Sequence, residues 1–141
     1  MNVTKSEIAA IGIVLVAFGV SAYFYPQMPD KMVTHWNIRG QVDGYMSKSL
    51  GLFVLPGILA TLVAFFIITP RVVSVAANIE GFRKFYGGFA VLFSFFVLLA
   101  QYHTILWNLG IKINPLAVIL VVVFAFVDWM AVWYYRTHLK K

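Results

Sequence analysis

The sequence predicts an all-α integral membrane protein, a four-helix bundle with an ordered extracytoplasmic loop between helices 1 and 2. Three observations support this fold class. Of the 141 residues, 62% are hydrophobic and only 11% are charged, whereas soluble domains carry about 25% charged residues. Four apolar stretches are long enough to cross a bilayer, and the basic residues fall between these stretches. We therefore expect a single four-span membrane domain over residues 1–141, embedded in lipid.

The first span is predicted at residues 8–25. This stretch contains no charged side chain, and at a rise of about 1.5 Å per residue it crosses most of a hydrocarbon core about 30 Å thick. Lys5 and the small residues at 20–22 also fit a cleaved signal peptide. The apolar character continues through the aromatic residues 23–25, which suit a membrane interface, so we expect a retained span.

The remaining spans are predicted at residues 50–69, 85–107 and 116–135. Pro56 lies inside the second span and predicts a kink, which membrane helices tolerate when a neighbour satisfies the carbonyl that proline leaves free. Gly57 and Thr61, and likewise Ala60 and Ala64, are small residues four apart, which allows close contact with another helix. Seven of the eleven lysine and arginine residues lie in the two termini and the second connector. This excess predicts cytoplasmic termini and an extracytoplasmic first connector.

The first connector, residues 26–48, is the one long polar interval in the chain. One interpretation is a compact, turn-rich cap, because asparagine and aspartate side chains bond nearby backbone amides and glycine adopts positive φ. The other is a binding loop, because functional residues concentrate on loops held by a rigid scaffold. The candidate ligand-binding residues of this loop are Thr34, His35, Trp36, Asn37, Gly40, Asp43 and Lys48.

This interval resembles the signature of SdpI-like immunity proteins, multi-pass membrane proteins of bacteria and archaea. The sequence departs from that pattern at Met28, where leucine is expected, and at Val33, where proline is expected. The second connector is also similar, at Pro70-Arg71, Asn78, Phe82-Arg83 and Tyr86. The signature positions that match are Pro29, Thr34, His35, Trp36, Asn37, Gly40, Asp43, Gly44, Tyr45, Ser47, Lys48, Pro56 and Gly57.

The resemblance implies a binding and immunity protein that engages a toxin peptide, or another amphipathic ligand, at the outer surface. It also implies a signalling role, in which a small winged-helix repressor is held at the membrane once the toxin is bound. Longer members continue with two further spans and a Gly-x-Arg-Thr-Pro type motif, which this sequence lacks.

A metal-dependent membrane enzyme is a second hypothesis. His103 is predicted near the outer end of the third span, where it could meet His35 and Asp43. Two histidines and a carboxylate suit a divalent ion such as zinc with one open position. The chain has no cysteine, which excludes thiolate ligands and cysteine nucleophiles. No spacing typical of a catalytic nucleophile and its base is present, so catalysis has little other support.

The third hypothesis is a small transporter or channel subunit, expected as an oligomer because four short spans enclose little space. Asp128 is the one acidic residue inside a predicted span, and such residues usually face a partner within the bundle. We expect an ion pair of Asp128 with Arg71 or Arg83, or a role in proton or substrate transfer. Direct nucleic-acid binding is not expected, because the basic residues do not line one face.

Overall fold

The computed structural model describes residues 3–72 and 80–136, with the backbone alone for residues 80–84. Four α-helices, α1 (Lys5–Phe24), α2 (Lys48–Val72), α3 (Glu80–Asn108) and α4 (Pro115–Tyr134), make up most of this part of the chain. The segments long and apolar enough to cross a membrane are Lys5–Gln27, Lys48–Val72, Phe85–Asn108 and Pro115–Tyr134. These segments confirm the prediction of four helices that are long and apolar enough to span a membrane.

The first connector departs from the all-α prediction. A short 3-10 turn, Tyr25–Gln27, follows α1, and two antiparallel strands, β1 (Lys31–Trp36) and β2 (Val42–Ser47), form a hairpin. In β1, Met32 is buried while Lys31 and His35 are exposed, as in a strand that has one face against the protein. The all-α prediction is therefore wrong for this interval, because the residues on either side of the Asn37–Gly40 turn pair with one another as strands.

The turn of the hairpin is built by one side chain. Asn37 Oδ1 accepts hydrogen bonds from the backbone N–H groups of Arg39 (2.9 Å) and Gln41 (3.0 Å). Gly40 has φ +74°, a left-handed conformation that L side chains rarely adopt. Asn37 and Gly40 therefore form the turn, in agreement with the turn-rich interpretation of this interval.

Helices α1, α2 and α3 pack against one another, while α4 packs along α3. One apolar core lies between the first three helices and contains Ala10, Ala17, Leu59, Val63 and Leu98. No residue of α4 is buried, and its contact with α3 is mainly aromatic, for example between the rings of Phe85 and Trp129, whose centroids lie 4.7 Å apart. The bundle is thus a three-helix core with a peripheral fourth helix.

A polar network crosses the first core. Pro56 has no N–H to donate to the carbonyl of Leu52, four residues earlier in α2. Ser21 Oγ of α1 donates to that carbonyl instead, over 2.6 Å. Gln101 Nε2 of α3 donates to Ser21 Oγ (2.7 Å) and to the carbonyl of Ala17 (2.8 Å). The neighbouring helix therefore satisfies the carbonyl that the predicted proline defect leaves free.

The ends of α1 and α2 opposite the hairpin are also joined. Thr4 and Glu7 form a capping box at the start of α1, in which each side chain accepts a hydrogen bond from the other residue's backbone N–H. The Glu7 carboxylate in turn accepts from the guanidinium of Arg71, with contacts of 2.8 and 3.1 Å. One carboxylate therefore caps α1 and holds the last turn of α2.

Candidate functional site

The hairpin is fixed to the helix ends by a buried methionine. Met32 of β1 is 0% exposed and belongs to a second apolar core with Met28, Leu52 and Ile105. Gly51 lets α2 approach this strand, because a β carbon there would lie 3.0 Å from Met32 Sδ and 3.3 Å from the methyl group of Thr34. One face of the hairpin therefore packs on α2 and α3, and Thr34 belongs to that packed face.

Asn108, in the last turn of α3, holds the outer edge of β1. Its Oδ1 accepts from the N–H of Val33 and its Nδ2 donates to the carbonyl of Val33, each over 2.8 Å. The carboxamide thus makes the pair of hydrogen bonds that a neighbouring strand would make. The same Nδ2 donates to the carbonyl of Thr104 within α3. No local pattern predicts this contact, which joins residues 75 positions apart.

His103 lies with the aromatic side chains beneath the hairpin. The rings of Trp36 and His103 meet edge to face with centroids 4.7 Å apart, and Trp107 lies 5.2 Å from Trp36. His103 Nε2 is 2.9 Å from the carbonyl of Ile113. Because a carbonyl only accepts, that nitrogen carries the proton. His103 and Trp36 therefore tie the hairpin to the connector between α3 and α4.

His35 and Asp43 form the exposed polar feature of the hairpin. His35 Nδ1 lies 2.5 Å from Asp43 Oδ1, and the two side chains are 71% and 41% exposed. A carboxylate accepts from Nδ1–H, which fixes the ring orientation and leaves Nε2 free toward solvent. In the neutral imidazole Nε2 then carries a lone pair, so Nε2 can accept a hydrogen bond from a ligand. After protonation of the ring, Nε2 can donate one instead.

Gly44 is required for this pair. The register places His35 opposite Gly44, with irregularities on either side. A β carbon on Gly44 would lie 2.6 Å from His35 Cβ, a separation that no pair of side chains tolerates. The imidazole therefore lies over a residue without a side chain, and Asp43, next to it in the bulged strand, reaches Nδ1 from the side.

Lys48, the last of the predicted loop residues, lies at the base of the hairpin. Its Nζ is 3.4 Å from Asp30 Oδ1 and 5.4 Å from the centre of the Tyr25 ring. Its backbone N–H also donates to the carbonyl of Asp30. Of the seven candidate loop residues, Thr34 and Trp36 face the helices, Asn37 and Gly40 shape the turn, Lys48 closes the base, and His35 and Asp43 are presented outward.

The three predicted metal ligands are not brought together. His35 and Asp43 meet on the outer face, whereas His103 bonds to Ile113 beneath the hairpin. Across residues 3–72 and 80–136, no three histidine, aspartate or glutamate side chains are grouped as they are around a metal ion. The geometry therefore offers zinc one oriented imidazole with its carboxylate partner, short of the three protein ligands typical of a catalytic site.

Asp128 is predicted to pair with Arg71 or Arg83. The Arg71 guanidinium is instead bound to Glu7, at the start of α1. Asp128 itself is exposed on α4. The side chains of Phe82 and Arg83, and the whole of Asn78, lie outside the described residues, so pairing of Asp128 with Arg83 stays a prediction.

Comparison with known proteins gives one family match. Residues 12–60 match the model of a domain of unknown function, DUF1648. This segment contains most of α1, the whole hairpin and the first half of α2, and therefore includes Met32, His35, Asp43, Gly44 and Pro56. No curated protein and no solved structure matches the chain.

Proposed function

We propose that this chain is a membrane binding protein of the SdpI-like immunity type, whose hairpin engages a toxin peptide or a similar amphipathic ligand. The observation that carries the proposal is the His35–Asp43 pair, held outward on a hairpin whose opposite face is fixed to the helices. Exposed ion pairs contribute only about 0–1 kcal/mol to stability. The pair is therefore poorly explained as a stabilising device and better explained as a recognition device.

The chemistry around the pair suits an amphipathic peptide. Tyr45 and Met46 of β2 are 54% and 39% exposed, which adds apolar surface to the same hairpin that carries the oriented imidazole. Lys31 Nζ lies 4.8 Å from the centre of the Tyr45 ring. The N–H or O–H donors of a ligand could bond the imidazole, and its apolar side chains could pack against Tyr45 and Met46. The family match over residues 12–60 supports treating α1, the hairpin and the start of α2 as one functional unit.

The experiment is a protection assay. Toxin-sensitive bacteria that express the chain are challenged with secreted peptide toxin, and survival is compared with empty-vector cells. We expect protection, and we expect His35→Ala and Asp43→Ala to abolish it at unchanged membrane abundance. Ser47→Ala, at an exposed position of the same hairpin, is the matched control and should protect fully. Full protection by both site variants would refute the hairpin as the recognition site.

The sidedness of the hairpin is part of the proposal. We place residues 26–48 outside the cytoplasm and both termini inside, on the distribution of basic residues. The chain has no cysteine, so a single Gln41→Cys variant can be labelled with a membrane-impermeant maleimide on intact cells. Labelling without lysis is expected. Labelling only after lysis would place the hairpin in the cytoplasm and exclude binding of an external toxin there.

The other hypotheses are not advanced. Among the described residues no contact favours a metal-dependent enzyme or a transporter that relies on Asp128 over the binding function. A winged-helix repressor as a cytoplasmic partner, and a homo-oligomer, stay predictions that purification in mild detergent would test.

A further inference from the structure

A basic and apolar patch lies where the hairpin turn meets the connector between α3 and α4. We call it the tip patch and define it as Ile38 and Arg39 of the turn with Ile111, Lys112 and Ile113 of the connector. Ile38 is 88% exposed, and Ile111 and Ile113 are 54% and 38% exposed. Arg39 and Lys112 are exposed as well. None of these side chains takes part in the binding proposal above.

The two halves of the tip patch are neighbours in space. A β carbon on Gly40 would come within 3.7 Å of Asn114 Oδ1 and 3.8 Å of Pro115 Cδ. The bond from His103 to the carbonyl of Ile113 holds the connector under the aromatic side of the hairpin. The turn therefore rests against the start of α4, and its exposed residues lie beside those of the connector.

The fold does not account for the exposure of Ile38. Asn37 and Gly40 build the turn through side-chain hydrogen bonds and a positive φ. The residue between Asn37 and Arg39 is therefore free to be polar, as turn residues usually are. Instead it carries a β-branched apolar side chain that is 88% exposed. Exposed apolar groups gathered in one place mark a contact surface rather than chance.

The neighbouring surface identifies what that contact is. Helix α4 begins at Pro115, and its first turns expose Leu116, Ile119 and Leu120, which are 41%, 55% and 55% exposed. This helix is long and apolar enough to cross a membrane, so those side chains face hydrocarbon. The tip patch continues the same surface past the helix end, at the depth where the lipid headgroups begin.

The charges of the tip patch have one sign. Arg39 and Lys112 form no ion pair within residues 3–72 and 80–136. Asp43, the nearest carboxylate along the hairpin, is taken by His35. Long basic side chains can lay their stems along apolar neighbours and extend the charged group toward phosphates. Basic residues next to apolar ones at a membrane surface bind anionic lipids.

We propose that the tip patch is a lipid-binding surface, in which the three isoleucines enter the headgroup layer and Arg39 and Lys112 bind the phosphates of anionic lipids. Lipid at the turn then adds to the contacts of Met32 and Asn108 that hold the hairpin on the helices. This arrangement fixes the height of the His35–Asp43 pair above the bilayer. The inference does not depend on which ligand that pair binds.

The test uses purified protein in lipid nanodiscs. An environment-sensitive fluorophore is attached to a single Ile38→Cys variant, and the matched control carries it at Ser47→Cys, an exposed position at the other end of the hairpin. Both are measured in phosphatidylcholine alone and in phosphatidylcholine with phosphatidylglycerol in about a 3:1 ratio. The readouts are the emission maximum and the quenching constant of aqueous iodide.

We expect the label at position 38 to emit at shorter wavelength than the label at position 47. Iodide should quench it about fivefold less, with a larger difference in the anionic nanodiscs. Arg39→Gln with Lys112→Gln should remove the effect of the anionic lipid while leaving the label at position 47 unchanged. Equal quenching at the two positions in both lipids would overturn the proposal. A blue shift that is indifferent to lipid charge and to the double substitution would overturn the recognition of anionic lipid.

Discussion

Ser21 Oγ donates a hydrogen bond to the carbonyl oxygen of Leu52 over 2.6 Å. Pro56 has no N–H to donate to that carbonyl, so a serine of α1 supplies the hydrogen bond that is missing within α2. In hydrocarbon no water is present to do so. The contact lies at the boundary between the two apolar cores, since Ala17 belongs to the first and Leu52 to the second.

Substitution Ser21→Ala should lower stability in detergent by about 1 kcal/mol, because measured interhelical hydrogen bonds in membranes average about 0.6 and reach about 1.7 kcal/mol. In a Pro56→Ala background, where residue 56 can donate to Leu52 itself, the same substitution should cost about half as much or less. Unfolding by titration with a denaturing detergent measures both. Ser94→Ala is the control, since among the described residues Ser94 Oγ bonds within its own helix alone, to the carbonyl of Ala90. An equal loss of stability in both backgrounds would show that Ser21 does not act by satisfying the carbonyl that Pro56 leaves free.

Gln101 combines two satisfied donations with one unsatisfied acceptor. Its Oε1 is buried and has no hydrogen-bond partner within the described residues. Gln101→Leu removes the cost of burying an unbonded acceptor together with the two hydrogen bonds. The net loss of stability should therefore stay within about 1 kcal/mol. Gln101→Glu places a carboxylate against the carbonyl of Ala17 and should cost about 2.5 kcal/mol or more. The same titration compares them, and a leucine variant less stable than the glutamate variant would contradict the geometry.

Gly44→Ala should separate His35 from Asp43, because the new β carbon would lie 2.6 Å from His35 Cβ. Overpacking of this kind costs about 1–3 kcal/mol. The ring nitrogens of 15N-labelled His35 report the loss of the Nδ1 hydrogen bond directly. Gly57→Ala is the control: nothing lies within 4 Å of its β carbon, so we expect unchanged histidine signals and equal or slightly higher stability. Unchanged signals in Gly44→Ala would mean that the hairpin accommodates the clash by shifting its strands.

Asn108→Leu should release the edge of β1 from α3, because leucine fills a similar volume but cannot bond the N–H and carbonyl of Val33. Backbone hydrogen exchange over Lys31–Trp36 should accelerate about tenfold or more, as expected when a local opening becomes easier. Asn114→Ala provides the contrast. Asn114 Oδ1 accepts from the N–H of Leu116, as the cap of α4, so its removal should cost about 1 kcal/mol and leave β1 exchange unchanged. Slow exchange over β1 in Asn108→Leu would show that Met32 alone fixes the hairpin.

The sequence determined the membrane class and the helix positions, because both depend on local composition. An uninterrupted apolar stretch has one low-energy state in a bilayer, a helix whose backbone bonds are all internal. The predicted spans at residues 8–25 and 116–135 therefore lie close to Lys5–Gln27 and Pro115–Tyr134. The prediction that a neighbour satisfies the carbonyl freed by Pro56 is confirmed, because a backbone group in hydrocarbon has no water to bond. The structure identifies Ser21 as that neighbour.

The tertiary structure decided the rest. The hairpin was missed because its strands are stabilised from outside, by Met32 among helix ends and by Asn108 of α3, and a window along the chain contains neither partner. The pairing of His35 with Asp43 depends on a bulged register and on the absence of a side chain at Gly44. His103 does not join the predicted metal group, because its Nε2 bonds the backbone carbonyl of Ile113. Composition fixes which segments enter the bilayer, but contacts between distant residues depend on packing geometry, which no local pattern encodes.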